Sequence, residues 1–415
     1  MKKKNLAAML MAGAMCLSLL AGCSNGGTDA TNPPDPSGEP SQGTDASNSP
    51  DASGEPSQGG GDVVTIKIGG IGPLTGPNAQ YGIATDEGAK IAIEEINALN
   101  DTIRFELDSQ DDEADGEKGV NAYNTLLDHE MQILYGCTTS GSAAAVAAES
   151  YSDRVFQLTP SASSTTVTEG HDNVFQLCFT DPNQGRTAAD FIKNNGLAQK
   201  VAVIYNNSDD YSTGIYQGFK AQAETVGLEI VSTTTFPDDT TTDFSAQITD
   251  AYNNGAEMIF LPIYYTPASN ILIQASQKGY DFTYFGCDGL DGILTLEGFD
   301  TALAEGVYVL TPFDTASDAA LRFIEKYKAA TGSEPNQFAA DGYDCMYALY
   351  AACQKAGVTA DMTADQVCEA LIPVFTDPGF SVDGLTGSGM QWGTNGEVSK
   401  DPLIVQITNG VYVSQ

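Results

Sequence analysis

From Val63 onward the chain alternates short runs rich in Val and Ile with longer amphipathic stretches, and it does so in two successive series. In the first, Val64–Ile71, Ile103–Leu107, Ile133–Gly136 and Val155–Leu158 read as strands, with helical patterns near Gly82–Ala98, Gly116–Asp128 and Ser142–Tyr151. The second predicts strands at Val201–Tyr205, Leu228–Thr235, Met258–Leu261 and Tyr284–Gly286, and helices at Gly214–Thr225, Phe244–Asn253 and Ala268–Lys278. Short apolar strands need cover on both faces, and βαβ units supply it by laying helices on a parallel sheet. Two such series predict an α/β protein with two lobes, which suits a stretch of about 350 residues, too long for one ordinary core. Beyond Leu310, helical patterns near Ala319–Ala330, Asp341–Ala356 and Ala364–Ile372 precede strands near Leu403–Ile407 and Val411–Val413. They are too few for a third domain and are expected to add elements to both lobes.

The N-terminal stretch has a different character. Lys2, Lys3 and Lys4 precede an apolar run from Leu6 to Leu20, too short for a comfortable membrane span, and Leu20-Ala21-Gly22-Cys23 follows. The tetrapeptide resembles a bacterial lipobox. The resemblance implies that Cys23 becomes the first mature residue and carries lipid, holding the chain outside the cytoplasm. An uncleaved signal anchor and a plain secretory signal are the alternatives. Ser24 to Asp62 has no aromatic or branched aliphatic residue and no Lys or Arg, so it is expected to stay disordered. As a flexible linker it reaches roughly 35 Å.

The formal net charge is -37, and loss of the leader lysines makes it more negative. Such a charge argues against nucleic acid and against docking on anionic lipid. Apart from Cys16 and Cys23, the cysteines are Cys137, Cys178, Cys287, Cys345, Cys353 and Cys368, dispersed and without a Cys-x-x-Cys pair. Buried free thiols are expected, with a bridge among Cys345, Cys353 and Cys368 left open, and a zinc or redox site is disfavoured.

Signals for catalysis are poor. The two histidines, His129 and His171, lie outside any His-Glu-x-x-His setting, and no Gly-x-Ser-x-Gly elbow occurs. Gly70-Ile-Gly72-Pro-Leu-Thr-Gly76 has the wrong spacing for a dinucleotide loop. No cofactor is expected. Binding signals are stronger, because open α/β sheets take ligands at strand C-termini. The strand Ile133–Gly136 runs into Cys137-Thr-Thr-Ser-Gly-Ser142, and the next ends in Thr159-Pro-Ser-Ala-Ser-Ser164. Hydroxyls beside free N–H groups at a helix start form a neutral anion site suited to a carboxylate. The second series presents Tyr264-Tyr-Thr-Pro267 and Gly286-Cys-Asp-Gly289, where an acid could face an ammonium group.

Across Val63 to about Val413 the chain resembles the extracellular receptors for leucine, isoleucine and valine, type I periplasmic-binding proteins that serve ABC importers. The markers are Ile68-Gly-Gly-Ile-Gly-Pro-Leu-Thr-Gly76 with Ala79-Gln-Tyr-Gly82, Asp111-Asp112, Thr159-Pro-Ser-Ala162, Phe175 to Gly185, Gly286 to Gly289 and Tyr343-Asp344. The resemblance implies two Rossmann-like lobes closing on a ligand in a Venus flytrap. The expected boundaries are 1–22 for the leader, 23–62 for the linker, 63–181 plus about 312–390 for lobe one, and 182–311 plus about 391–415 for lobe two. It implies that Ser140, Ser161 and Ser163 hold an amino acid's carboxylate. Asp288 then meets the ammonium, with help from the Ser161 carbonyl, while Tyr81, Tyr211, Tyr265 and Phe338 wall the side-chain pocket. A membrane permease is the implied partner. There are departures: Ser163 stands where Thr is frequent, Asp288 is one methylene shorter than a Glu, and a first-lobe disulfide of some members has no counterpart. Related receptors for amides or small organic acids, and a sensory receptor ectodomain, are the alternative readings. An external hydrolase is a more distant one.

Overall fold

The computed structural model describes residues 63–99 and 102–415. The leader, Cys23 and the linker lie outside the described residues. In chain order the first sheet uses β1 (Val64–Gly72), α1 (Ala79–Ala98), β2 (Ile103–Asp111), α2 (Gly116–Asp128), β3 (Ile133–Gly136), α3 (Ser140–Asp153), β4 (Phe156–Thr159) and β5 (Val174–Gln176). Its strands are all parallel, in the order β2-β1-β3-β4-β5. β3 and β4 are buried at every position, which is why they read as continuous apolar runs.

α4 (Asp181–Asn194) carries the chain to the second sheet. There follow β6 (Lys200–Asn206), α5 (Asp210–Val226), β7 (Glu229–Phe236), α6 (Ser245–Asn253), β8 (Met258–Leu261), α7 (Tyr265–Lys278), β9 (Thr283–Gly286) and β10 (Tyr308–Thr311). After α8 (Asp318–Thr331), α9 (Gln337–Ala356) and α10 (Ala364–Phe375), β11 (Leu403–Thr408) and β12 (Val411–Ser414) complete the second sheet in the order β12-β11-β10-β9-β8-β6-β7. Only the β10–β11 and β11–β12 pairings are antiparallel, because a tight hairpin and a return from the first sheet need no crossover helix.

The tail divides as its apolar faces dictate. Ala320, Phe323 and Tyr327 of α8 join the core of the second sheet, whereas α10 and most of α9 pack on the first. α9 and α1 meet backbone to backbone: a Cβ on Gly88 would lie 1.9 Å from the Ala339 carbonyl oxygen, and one on Gly342 would lie 2.2 Å from that of Thr85. The stretch from Val382 to Lys400 follows the β5 edge, with Trp392 Nε1 donating to the Gln176 carbonyl at 2.8 Å and Gln176 N–H donating to Gly396. The segment expected in lobe two from about residue 391 therefore stays with the first sheet as far as Lys400, held there by the Trp392 ring against Phe375 and Phe380. The six described cysteines are buried free thiols, so no bridge forms among Cys345, Cys353 and Cys368.

Three crossings join the sheets, at 176–181, 311–318 and 400–403. Lys400 stands at the third. Its Nζ donates to the Leu177 carbonyl at 3.1 Å, to Asp341 Oδ1 at 3.1 Å and to Thr386 Oγ1 at 2.6 Å. One buried ammonium thus ties the first and third crossings to α9.

Candidate functional site

The loops after β3 and β4 face those after β8 and β9 across a closed cleft. The first sheet presents Thr138, Thr139, Ser140 and Ser161, and α1 adds Tyr81. The second side presents Tyr211 from α5, Tyr264 from the start of α7 and the pair Asp288-Gly289, with Phe338 of α9 closing one end. The space left between the two sides is small, about 10 Å³. A space of that size holds about one water, so a larger occupant needs the two sides to part.

The two sides differ in polarity. On the first, Ser140 Oγ accepts the N–H groups of Ser163 and Ser164, each at 3.1 Å, leaving its own proton to donate. It begins α3, whose first turn receives no side-chain cap. N–H groups and the positive end of the helix dipole thus face the cleft. Ser161 Oγ gives its proton to the Thr138 carbonyl at 2.7 Å and so offers the cleft an acceptor.

On the second side, Asp288 Oδ1 accepts from the Tyr211 hydroxyl at 2.7 Å and from Gly289 N–H at 2.8 Å. Gln184 Oε1 accepts Asp288 N–H at 3.1 Å, and the Gln337 amide donates to the Asp288 carbonyl at 2.7 Å. Burial pushes the Asp288 carboxyl up to about 6, against the pull of the Tyr211 hydroxyl. Burial likewise pushes Asp209 up to about 7 and Asp181 well above the usual carboxylate range. Of these three acids only Asp288 lines the cavity, so a cation entering there would lower the electrostatic cost of its burial.

Aromatic rings occupy the space between the two ends. Tyr81 packs on Phe338 with centroids 4.5 Å apart, and Tyr211 stacks on Tyr264 at 5.0 Å and 9°. The hydroxyls of Tyr81 and Tyr211 are spent on the protein, the former on the Gly289 carbonyl and Tyr265 N–H. These two rings therefore offer apolar faces to a guest. Closure is held by bonds across the cleft mouth. Asn78 Nδ2 donates to Asp239 at 3.1 Å, Thr295 Oγ1 to Gln80 Oε1 at 2.8 Å, and Thr266 Oγ1 to the Pro77 carbonyl at 3.0 Å.

Of the residues anticipated from sequence, Ser140, Ser161, Tyr81, Tyr211, Asp288 and Phe338 line this cavity together. Ser163 and Tyr265 stand behind it. The Ser163 hydroxyl donates to Asp181 at 2.6 Å, so its part is to hold the loop. Tyr265 packs edge-on against Tyr81 at 4.8 Å, and Tyr264 takes the wall. Tyr264 is the extended residue that caps α7, while Tyr265 is already helical and is turned away. Sequence reasoning also passed over Thr139 and Gln184. Thr139 lay within the hydroxyl loop; nothing local marked Gln184. Among the described residues no His, Cys, Asp and Glu group is arranged to hold a metal.

A family model described as periplasmic binding protein matches residues 65–411. The chain belongs to the periplasmic binding protein family. This is a solute-binding class rather than an enzyme class, and it implies work outside the cytoplasm. The Leu/Ile/Val-binding protein BraC3 of Rhizobium johnstonii is 28% identical over 310 residues, 74% of this chain and 83% of the relative. The crystal structure of the branched-chain amino acid transporter substrate-binding protein LivJ from Streptococcus pneumoniae, in complex with isoleucine, superposes with a TM-score of 0.75 at 27% identity. It covers 85% of this chain and all of that one (100%). A solute-binding protein of an ABC transporter from R. palustris, solved with benzoate, has a TM-score of 0.74 at 18% identity, covering 84% and 95%. The last of these bears on the fold alone. Homologues of this periplasmic binding protein are thus branched-chain amino acid binding proteins of ABC transporters.

Proposed function

We propose that the protein captures an α-amino acid with an apolar, branched side chain and delivers it to the permease of an ABC importer, while a lipid on Cys23 tethers it to the outer face of the cell membrane. The observation that carries the ligand reading is the opposed polarity of the cleft. The Ser140 hydroxyl and the start of α3 face the buried Asp288 carboxylate, with Tyr81, Tyr211, Tyr264 and Phe338 between. Donors at one end suit a carboxylate, an acid at the other suits an ammonium group, and ring faces suit a hydrocarbon side chain. Contacts from both lobes are available together only on closure, so the ligand favours the closed form that a permease would read. The ring-lined walls favour a second reading, an aromatic acid held by its carboxylate alone.

Calorimetry separates the two readings. L-leucine, L-isoleucine or L-valine should bind, and both the amidated and the N-acetylated analogue should bind at least tenfold more weakly, since each leaves a buried group unpaired. Equal binding of both analogues, or tight binding of benzoate alone, would overturn the amino-acid reading. The tether has its own test: a Cys23→Ser chain should incorporate no labelled fatty acid and should appear in the medium or as unprocessed precursor. Continued lipid incorporation would refute it.

A further inference from the structure

We infer that Thr139 is a carboxylate-binding residue of this cleft, a second hydroxyl donor beside Ser140. Thr139 stands at the N-cap of α3 with extended backbone angles, φ -100° and ψ 148°. A threonine in that place ordinarily turns its oxygen onto an N–H of the first helical turn. Here it makes no such bond. The residue is 5% exposed and lines the cavity, and its Oγ1 has no hydrogen-bond partner among the described residues. A buried hydroxyl left unpaired is a standing cost, so one beside a ligand cavity points to the ligand as its partner.

The neighbouring groups narrow what that partner is. Thr138 Oγ1 is taken up by Thr85 Oγ1 at 3.2 Å, and Ser161 has given its proton to the Thr138 carbonyl. Two hydroxyl protons, on Thr139 and Ser140, therefore converge with the uncapped first turn of α3. Several donors at a positive helix end complement a group with two acceptor oxygens and a negative charge. The assignment rests on the proposed occupancy of the cleft but needs only the carboxylate half of it.

Thr139→Val keeps the branched shape and removes the hydroxyl; Thr139→Ser keeps the hydroxyl. Calorimetry with L-leucine, L-isoleucine, L-valine and benzoate should show the valine variant binding roughly 5- to 30-fold more weakly than wild type, with the serine variant restoring most of the loss. The loss should be smaller for leucinamide than for leucine. Thermal denaturation without any of these probes should give the valine variant an unchanged or higher Tm, because the unpaired hydroxyl is gone. A merely structural threonine would lower that Tm and leave affinity alone. Wild-type affinity in Thr139→Val, or equal losses for leucine and leucinamide, would overturn the assignment. If wild type binds benzoate but none of the amino acids, the amino-acid reading fails while the benzoate comparison still decides Thr139. Wild type that binds none of these carboxylates overturns both.

Discussion

Asp288→Asn should weaken amino-acid binding roughly thirty-fold or more, corresponding to about 2–5 kcal/mol for loss of one partner in a desolvated charge pair. The amide can still accept from the Tyr211 hydroxyl and Gly289 N–H, so the loop that carries residue 288 keeps its shape. What disappears is the charge. Because Asp288 lies on the lobe opposite Ser140, the loss should appear mainly as faster dissociation in stopped-flow measurements. pH provides a second readout. Burial raises the Asp288 carboxyl to about 6 in the closed cleft, and a ligand ammonium at that carboxylate would lower it again. A carboxylate whose value is lower in the complex contributes fully above the higher value and is lost as pH falls below it. Wild-type affinity should therefore be flat above about pH 6 and drop on acidification, by up to tenfold per unit, while Asp288→Asn is flat throughout. An Asp288→Asn protein with wild-type affinity and wild-type pH dependence would refute the ammonium role.

Lys400→Met should cost about 3–5 kcal/mol of unfolding free energy, the usual penalty for removing one member of a buried ion pair. The Lys400 and Asp341 side chains are 1% and 3% exposed, so nothing from solvent can replace the ammonium. Thr386, one of its acceptors, is held in turn by Asp344, which takes the N–H groups of Leu385 and Thr386 at 2.8 Å each. The loss should thus loosen the 382–400 stretch on β5 before the rest of the fold. Burial raises the Asp341 carboxyl to about 7 even with Lys400 opposing the shift. A raised carboxylate destabilises the folded state above its unfolded value and is relieved as pH falls through the folded one. The deficit of Lys400→Met should accordingly be larger at pH 8 than at pH 6, as read by denaturant unfolding. The double replacement with Asp341→Leu should recover much of it, since apolar residues substitute well for buried ion pairs. A single variant as stable as wild type at pH 8 would show that the pair does not hold the crossings.

The elements that were plain in the sequence are those whose periodicity is local. β3, β4 and β8 are four-residue apolar runs buried on both faces, and α1, α5 and α9 repeat their apolar residues at helical spacing. β5 was passed over because three residues carry too little pattern. α4 was missed because only Ala188, Ala189 and Ile192 are its buried apolar residues, while its polar first turn holds the buried Asp181 and Gln184. The antiparallel return of β11 was equally unreadable, since strand direction depends on where the chain comes from.

Residue order over short spans was enough to specify the two α/β series, the hydroxyl loops on adjacent strands, the acid at Asp288 and the lack of a catalytic motif. Each of these is a matter of composition and spacing within a few residues. Packing settled which side chain of each pair reaches the cleft, Tyr264 over Tyr265 and Ser161 over Ser163, because that depends on how a helix or loop is rotated against its neighbours. Packing also left Thr139 unpaired and set Lys400 between two crossings, since a polar group's partners come from distant positions that only the folded chain brings together.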